Sequence, residues 1–208
     1  SVCMLDEDKF IVSYVETTSS PILTKVCTLS GLVITAGSAQ TADTVGSVSQ
    51  IGMSIVQLAT DKAVLSYTYG SGTNATKSVA LTVSGTTVTF GTPVSLNASL
   101  TAQILKSAKV NTDKFAVLND QYMQVGSISG TTITLGTAVS IFSNAAFTPS
   151  SDIVSPSNDV VVVSMITGGG TSYIRAATIS GTTITAGTEV TTTGAAQTLY
   201  ARSATVVY

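Results

Sequence analysis

The chain has 208 residues, of which 44% are hydrophobic and only 10% charged, with a formal net charge of −2. That balance excludes a disordered tail, which needs low hydrophobicity and high charge, and 9 Lys plus Arg do not make the basic footprint of a nucleic-acid binder. With no His at all, His-dependent triads and His-ligated zinc sites are excluded too.

Mean hydropathy is high, at +0.44, yet no apolar run approaches the roughly 20 residues of a spanning helix. The apolar residues are dispersed among Ser and Thr in short blocks, which predicts a strand-rich protein with no membrane insertion. Asp6, Glu7, Asp8 and Lys9 interrupt the start, so no signal-like segment opens the sequence. Together with the absence of an initiator Met, this reads as a processed chain or an excerpt of a longer one.

One phrase recurs along the chain: Ser30-Gly31-Leu32-Val33-Ile34-Thr35-Ala36-Gly37, then the segments 84–91, 129–136 and 180–187, the last running Ser180-Gly181-Thr182-Thr183-Ile184-Thr185-Ala186-Gly187. Its first glycines, Gly31, Gly85, Gly130 and Gly181, are spaced by 54, 45 and 51 residues. A second marker keeps the same register. Asp8-Lys9, Asp61-Lys62 and Asp113-Lys114 each precede an apolar run, and Asn158-Asp159 takes that place in the fourth unit. The units are therefore approximately 1–50, 51–101, 102–149 and 150–200, with 201–208 an extra strand, in a single domain spanning 1–208.

Within a unit, short alternating blocks rich in β-branched residues predict four strands. In the second unit these are strand A over Ile55–Leu58, B over Lys62–Tyr69, C over Lys77–Val83 and D over Thr86–Leu96. Asp-Lys closes the A–B turn, where the Asp side chain is expected to bond the backbone, and Ser-Gly closes the C–D turn, where Gly supplies a positive φ. Each unit is then an antiparallel meander. Strand C is apolar at alternate and at intervening positions (Val83, Leu81 and Ala80 in the second unit). It is therefore expected between two neighbours, whereas a sandwich strand has one wet face. Strand D has one apolar position among Thr residues, as an outer edge should.

Four-stranded units of about 50 residues, with an inner strand buried on both faces, resemble the blades of a β-propeller. The alternatives are a string of small β-sandwiches, too short to bury a core singly, and a β-solenoid. The run Ser203-Ala204-Thr205-Val206 is similar to Ser107-Ala108-Lys109-Val110, the third strand A. That implies four blades plus the first strand of a fifth: a fragment of a larger ring, or a last strand that pairs with another chain.

Few residues point to chemistry. Cys3 and Cys27 fall on strands A and C with B between them, about 10 Å apart at the usual strand spacing, too far for a disulfide. Asp6, Glu7 and Asp8 read as a solvated cluster. The other acids, Glu16, Asp43, Asp120, Asp152 and Glu189, have no motif context for glycosidase chemistry. Gly168-Gly169-Gly170 lacks the Lys-Ser and helix of a phosphate loop. No catalytic residue, metal site or cofactor is expected. Asn74-Ala75-Thr76 and Asn97-Ala98-Ser99 match the N-glycosylation pattern.

The two ends of the meander differ. The Asp-Lys and Ser-Gly turns are alike in every unit, while the B–C and D–A loops at the opposite end vary, the usual layout of a binding surface on a rigid scaffold. Tyr14, Tyr67 and Asn119 align near that end, with Met165 in the fourth unit. Tyr69, Asn74, Asn119, Asp120, Asn144, Tyr173 and Tyr200 are the candidate ligand-binding residues there, suited to stacking on sugars or hydrogen-bonding them.

In style, the repeated Ser-Gly-Thr-Thr-Ile-Thr-x-Gly in a Thr-rich, acidic chain resembles the repeat modules of bacteriophage tail-fibre and other virion-surface proteins. The resemblance implies a non-enzymatic structural or attachment role, in a virion or outside the cell. The partners it implies are other virion proteins, further copies of the chain or a host receptor such as a cell-surface glycan. The alternative is a secreted carbohydrate-binding propeller acting through the variable loop face.

Overall fold

The computed structural model describes residues 1–17, 21–44, 48–69, 75–96, 105–119, 121–143, 151–166 and 171–193, and among them there are strands and turns but no helix. The strands form four antiparallel sheets, one per repeat. The first contains β1 (Val2–Asp6), β2 (Lys9–Tyr14), β3 (Ile22–Ser30), β4 (Val33–Ala36) and β5 (Gln40–Asp43). The second contains β6 (Val48–Ala59), β7 (Lys62–Tyr69), β8 (Ala75–Ser84), β9 (Thr87–Phe90) and β10 (Val94–Ser95). β11 (Leu105–Asn111), β12 (Lys114–Asn119), β13 (Tyr122–Ser129), β14 (Thr132–Leu135) and β15 (Val139–Ser140) make the third, and β16 (Ser151–Ser157), β17 (Val160–Ile166), β18 (Thr171–Ser180) and β19 (Thr183–Thr193) the fourth. The residues 201–208, expected as an extra strand, lie outside the described residues.

Each sheet is a meander in which strands A, B, C and D follow one another, so both turns of a unit are local hairpins. At the C–D turn the glycine has φ near +60° in all four units, for example 60° at Gly85, a conformation that L side chains resist. The Asp of the A–B turn works differently from the expected side-chain bond. Its backbone carbonyl is what recurs: Asp8, Asp61, Asp113 and Asp159 accept the N–H of Leu29, Val83, Ile128 and Ile179 at 2.7–2.8 Å. Asp159 alone has a positive φ, 60°, and its carboxylate accepts from Asn111 Nδ2 at 3.0 Å and Lys114 Nζ at 3.2 Å in the sheet before it.

Strand D is also less regular than expected. In three sheets it breaks into two pieces that both pair with C, and the break falls at the closing glycine of the phrase. Gly37, Gly91 and Gly136 donate their N–H to Val26, Ala80 and Val125 at 2.8–2.9 Å. The cause is the next sheet. A Cβ on Gly91 would collide with the Thr131 carbonyl, and one on Gly136 with that of Thr182. Each closing glycine thus seats the C–D turn of the following unit.

Cross-strand partners share a face, so the register assigns every side chain. In the second sheet Ile55 pairs Leu65, which pairs Val79, and Val83 pairs Val88. These residues pack with Leu5, Ile11, Ile22 and Val26 of the first sheet in one core. The opposite face, with Val64 and Ala80, packs with Phe115, Val117, Ile128 and Ile133 of the third sheet. A further core joins Met123 and Val125 of the third sheet to Val161, Val163, Ile179 and Ile184 of the fourth. There is one core per junction. The second and third sheets each meet the preceding one with the leading face and the following one with the trailing face, which is why strand C of these inner units is apolar on both.

Cys3 pairs Ile11 and Cys27 pairs Phe10, adjacent residues of β2. The two free thiols are therefore separated by a strand and face opposite sides of the sheet. Burial raises the Cys3 thiol above its ordinary value, and a hydrogen bond from the Gln57 backbone partly offsets this.

Candidate functional site

Of the candidates at the variable loop end, Tyr69, Asn119 and Tyr173 are described; Asn74, Asp120, Asn144 and Tyr200 lie outside the described residues. The three do not converge on one site. Tyr69 belongs to the junction of the first and second sheets, Asn119 to that of the second and third, and Tyr173 to that of the third and fourth. Each sits on the leading face of its sheet and reaches back to the unit before.

The first junction has the most elaborate chemistry. Tyr67 is fully buried and its hydroxyl donates to the Asp43 carboxylate at the end of the first sheet. Lys77, the cross-strand partner of Tyr67, places Nζ 3.1 Å from the same carboxylate and 4.6 Å from the centroid of the Tyr69 ring. The Tyr67 and Tyr69 rings lie 6.5 Å apart. Burial by itself raises the Asp43 carboxyl, but the Tyr67 hydroxyl, the Lys77 ammonium and the Thr44 N–H outweigh it and hold it below its ordinary value. Burial, and then the Asp43 charge, push the Tyr67 phenol well above its ordinary range. An anion, a cation and a phenol are therefore held against one another across the junction.

At the second junction Asn119 is almost fully buried and donates from Nδ2 to Thr76 Oγ1 at 2.9 Å. Its Oδ1 has no protein partner, and the side chain lines a cavity of about 10 Å³ with Tyr122, Gln124 and Leu96, room for one water. Thr76, the acceptor, is also the hydroxyl residue of the first N-glycosylation pattern. Buried as it is, it serves the junction. At the third junction the Tyr173 ring meets Phe142 edge-on, with centroids 6.4 Å apart. Beside it Arg175 donates to Ile141 O at 2.9 Å, and Glu189 accepts from Ser143 Oγ at 2.6 Å.

The alignment of Tyr14, Tyr67, Asn119 and Met165 was the sequence signal for these contacts. All four lie on leading faces, and the last three are buried by the preceding sheet. Tyr14, in the first unit, keeps partial exposure, with Lys25 Nζ 5.8 Å from its ring centroid.

One feature had no sequence signal. Phe90, Gly91, Thr92 and Val94 of the second unit and Thr131, Thr132 and Ile133 of the third border an open groove of about 370 Å³. It lies where the closing glycine of one outer strand receives the turn of the next, and its walls combine threonines with one aromatic ring. Among the described residues no group of three or more His, Cys, Asp or Glu is placed to hold a metal ion. No family model, curated protein or solved structure matches the chain.

Proposed function

We propose that the chain is a β-propeller-type module with a non-enzymatic building role in a virus particle, on the virion surface or in a tail fibre. Its four meanders would be blades. Strands A support this, because β1 packs on β6, β6 on β11 and β11 on β16, as the innermost strands of neighbouring blades do. The observation that carries the structural role is the use made of the reactive and aromatic side chains. Tyr67, Asp43, Lys77, Asn119 and Arg175 each make a hydrogen bond that joins one unit to the next. Immunogold electron microscopy with an antibody to this chain tests the reading. Label on particles or fibres is expected; label confined to soluble secreted protein would sink it.

The groove favours a second reading, a carbohydrate-binding propeller. Its volume lies in the range of small-molecule sites, and threonine hydroxyls beside the Phe90 ring suit a neutral polyhydroxylated ligand. Saturable binding of the purified chain on a glycan array, lost in Phe90→Ala and retained in Tyr69→Ala, would favour it and place the ligand in the groove rather than on the loop face.

A further inference from the structure

The exposed large apolar residues of the described chain are confined to the first and fourth units. Three of them, Ile34, Val2 and Ile174, occupy repeat positions where an inner unit has a buried residue. Ile34 is 61% exposed, while Val88 and Ile133, at the same place in the phrase, are each 6% exposed. Val2 is 62% exposed against 8% for Ile55, its counterpart six residues before the turn Asp. In the fourth unit Ile174 is 41% exposed, whereas Met123 at the equivalent position of strand C is 0% exposed.

The register sorts Val2, Met4, Ile34, Ile174 and Val190 onto two faces, while Val33 pairs Ser30 and lies on the opposite side of the first sheet from Ile34. Val2, Val12 and Lys25 are cross-strand neighbours, as are Met4, Phe10 and Cys27, and Leu29 pairs Ile34. All lie on the leading face of the first sheet, which among the described residues has no sheet before it. Val154, Val162 and Ala176 form a row, and Ser164, Ile174 and Val190 another. These lie on the trailing face of the fourth sheet, which among the described residues has none after it. The turn contact is incomplete at both ends in the matching way. Leu32, where the other units carry the threonine that seats on a glycine, is fully exposed, and Gly187 approaches only Ala176 of its own sheet.

We propose that these two faces are the halves of one interface between copies of this chain, the trailing face of the fourth unit in one copy packing on the leading face of the first unit in another. Continuity with the three internal junctions identifies the occupant. Every inner leading face is covered by a trailing face of this same repeat, and the described residues leave one of each uncovered. In its paired strand positions the open leading face has one charged side chain, Lys25, and the open trailing face has one of opposite sign, Asp152. Such a head-to-tail contact closes into a ring or extends into a filament according to its rotation. The proposal rests on the reading of the chain as a building module but not on its place in a virus. It is tested on the purified chain, so it can fail while the immunogold result stands.

The test is sedimentation velocity across a wide concentration range with three proteins. The wild-type chain is expected to form species of two or more copies. Leu32→Asp with Ile34→Asp removes the leading face, and Ile174→Asp with Val190→Asp removes the trailing one. Each variant alone is expected to sediment as a single copy, with the wild-type circular-dichroism spectrum because these side chains are exposed within one copy. A mixture of the two retains one intact face of each kind and is expected to give a pair that grows no further. A wild-type chain that stays a single copy at every concentration would overturn the proposal. So would folded variants that still associate alone, or a mixture that stays unpaired.

Discussion

The second and third units and the first and fourth units are written in one repeat but end in different environments. Val88 and Ile34 occupy the same place in the phrase, after the same positive-φ glycine, and pair with the same position of strand C. One is in a core and the other in water. Burial of a side chain of this size contributes roughly 1.5–3 kcal/mol, and here a neighbouring sheet decides whether it is realised. The difference teaches that stability in this molecule belongs to the junctions rather than to the units, as expected for repeats that bury no face alone.

The sharpest way to break the comparison is to hollow out a junction. Phe115→Ala, inside the core shared by the second and third sheets, is expected to cost about 3–5 kcal/mol in chemical denaturation. Leu32→Ala, fully exposed in one copy, is expected to stay within about 0.5 kcal/mol. Equal effects would mean that the junction cores do not carry the fold.

The closing glycines give a graded version. Gly91→Ala drives a methyl into the Thr131 carbonyl and is expected to cost about 1–3 kcal/mol through backbone displacement. Gly187→Ala, with only the Ala176 carbonyl of its own sheet nearby, is expected to cost less when both are measured in dilute protein.

The Asp43 latch makes a pH-dependent prediction. Its carboxyl is held below its ordinary value, so the stabilisation is complete above the unfolded Asp value of about 3.9 and is lost as pH falls through the lower folded value. Melting temperatures of wild-type and Asp43→Asn chains should diverge at neutral pH and converge as pH falls below the lowered folded value of Asp43. Tyr67 has the opposite sign: its raised phenol contributes up to the unfolded Tyr value of about 10 and weakens above it. Tyr67→Phe removes a bond to a charged acceptor and is expected to cost about 1.5–3 kcal/mol at neutral pH. The smallest effect is expected from Lys25→Ala, within about 0.5 kcal/mol for a single copy, since its described contact is with the Tyr14 ring.

Much of the unit was legible in the sequence because its signals are local. Ser-Gly at the C–D turn needs a positive φ, Asp and the following apolar run set the A–B hairpin, and the double-sided apolarity of strand C can only mean two neighbours. What the sequence did not reveal depends on the neighbour itself. The break in strand D is set by Thr131 and its equivalents approaching Gly91 and its equivalents from the next unit. The Asp markers act through a carbonyl, which leaves no side-chain signature. Tyr69, Asn119 and Tyr173 were read as ligand-binding candidates because alternation assigns a residue to a face without saying what packs on that face. The preceding sheet buries Asn119 and packs against Tyr69 and Tyr173, which keep partial exposure. The groove near Phe90 and Thr131 is likewise made by two units meeting, and neither phrase alone encodes it.

The repeat position of Ile34, Val88, Ile133 and Ile184 is covered by the preceding unit everywhere except in the first. Thiol labelling measures this directly in a chain with Cys3 and Cys27 replaced by Ala, comparing Ile34→Cys with Ile133→Cys. In dilute protein the first is predicted to react at the rate of an exposed thiol and the second orders of magnitude more slowly, with Ile34→Cys gaining protection as concentration rises. Equal rates at the two positions in folded, dilute protein would contradict the account.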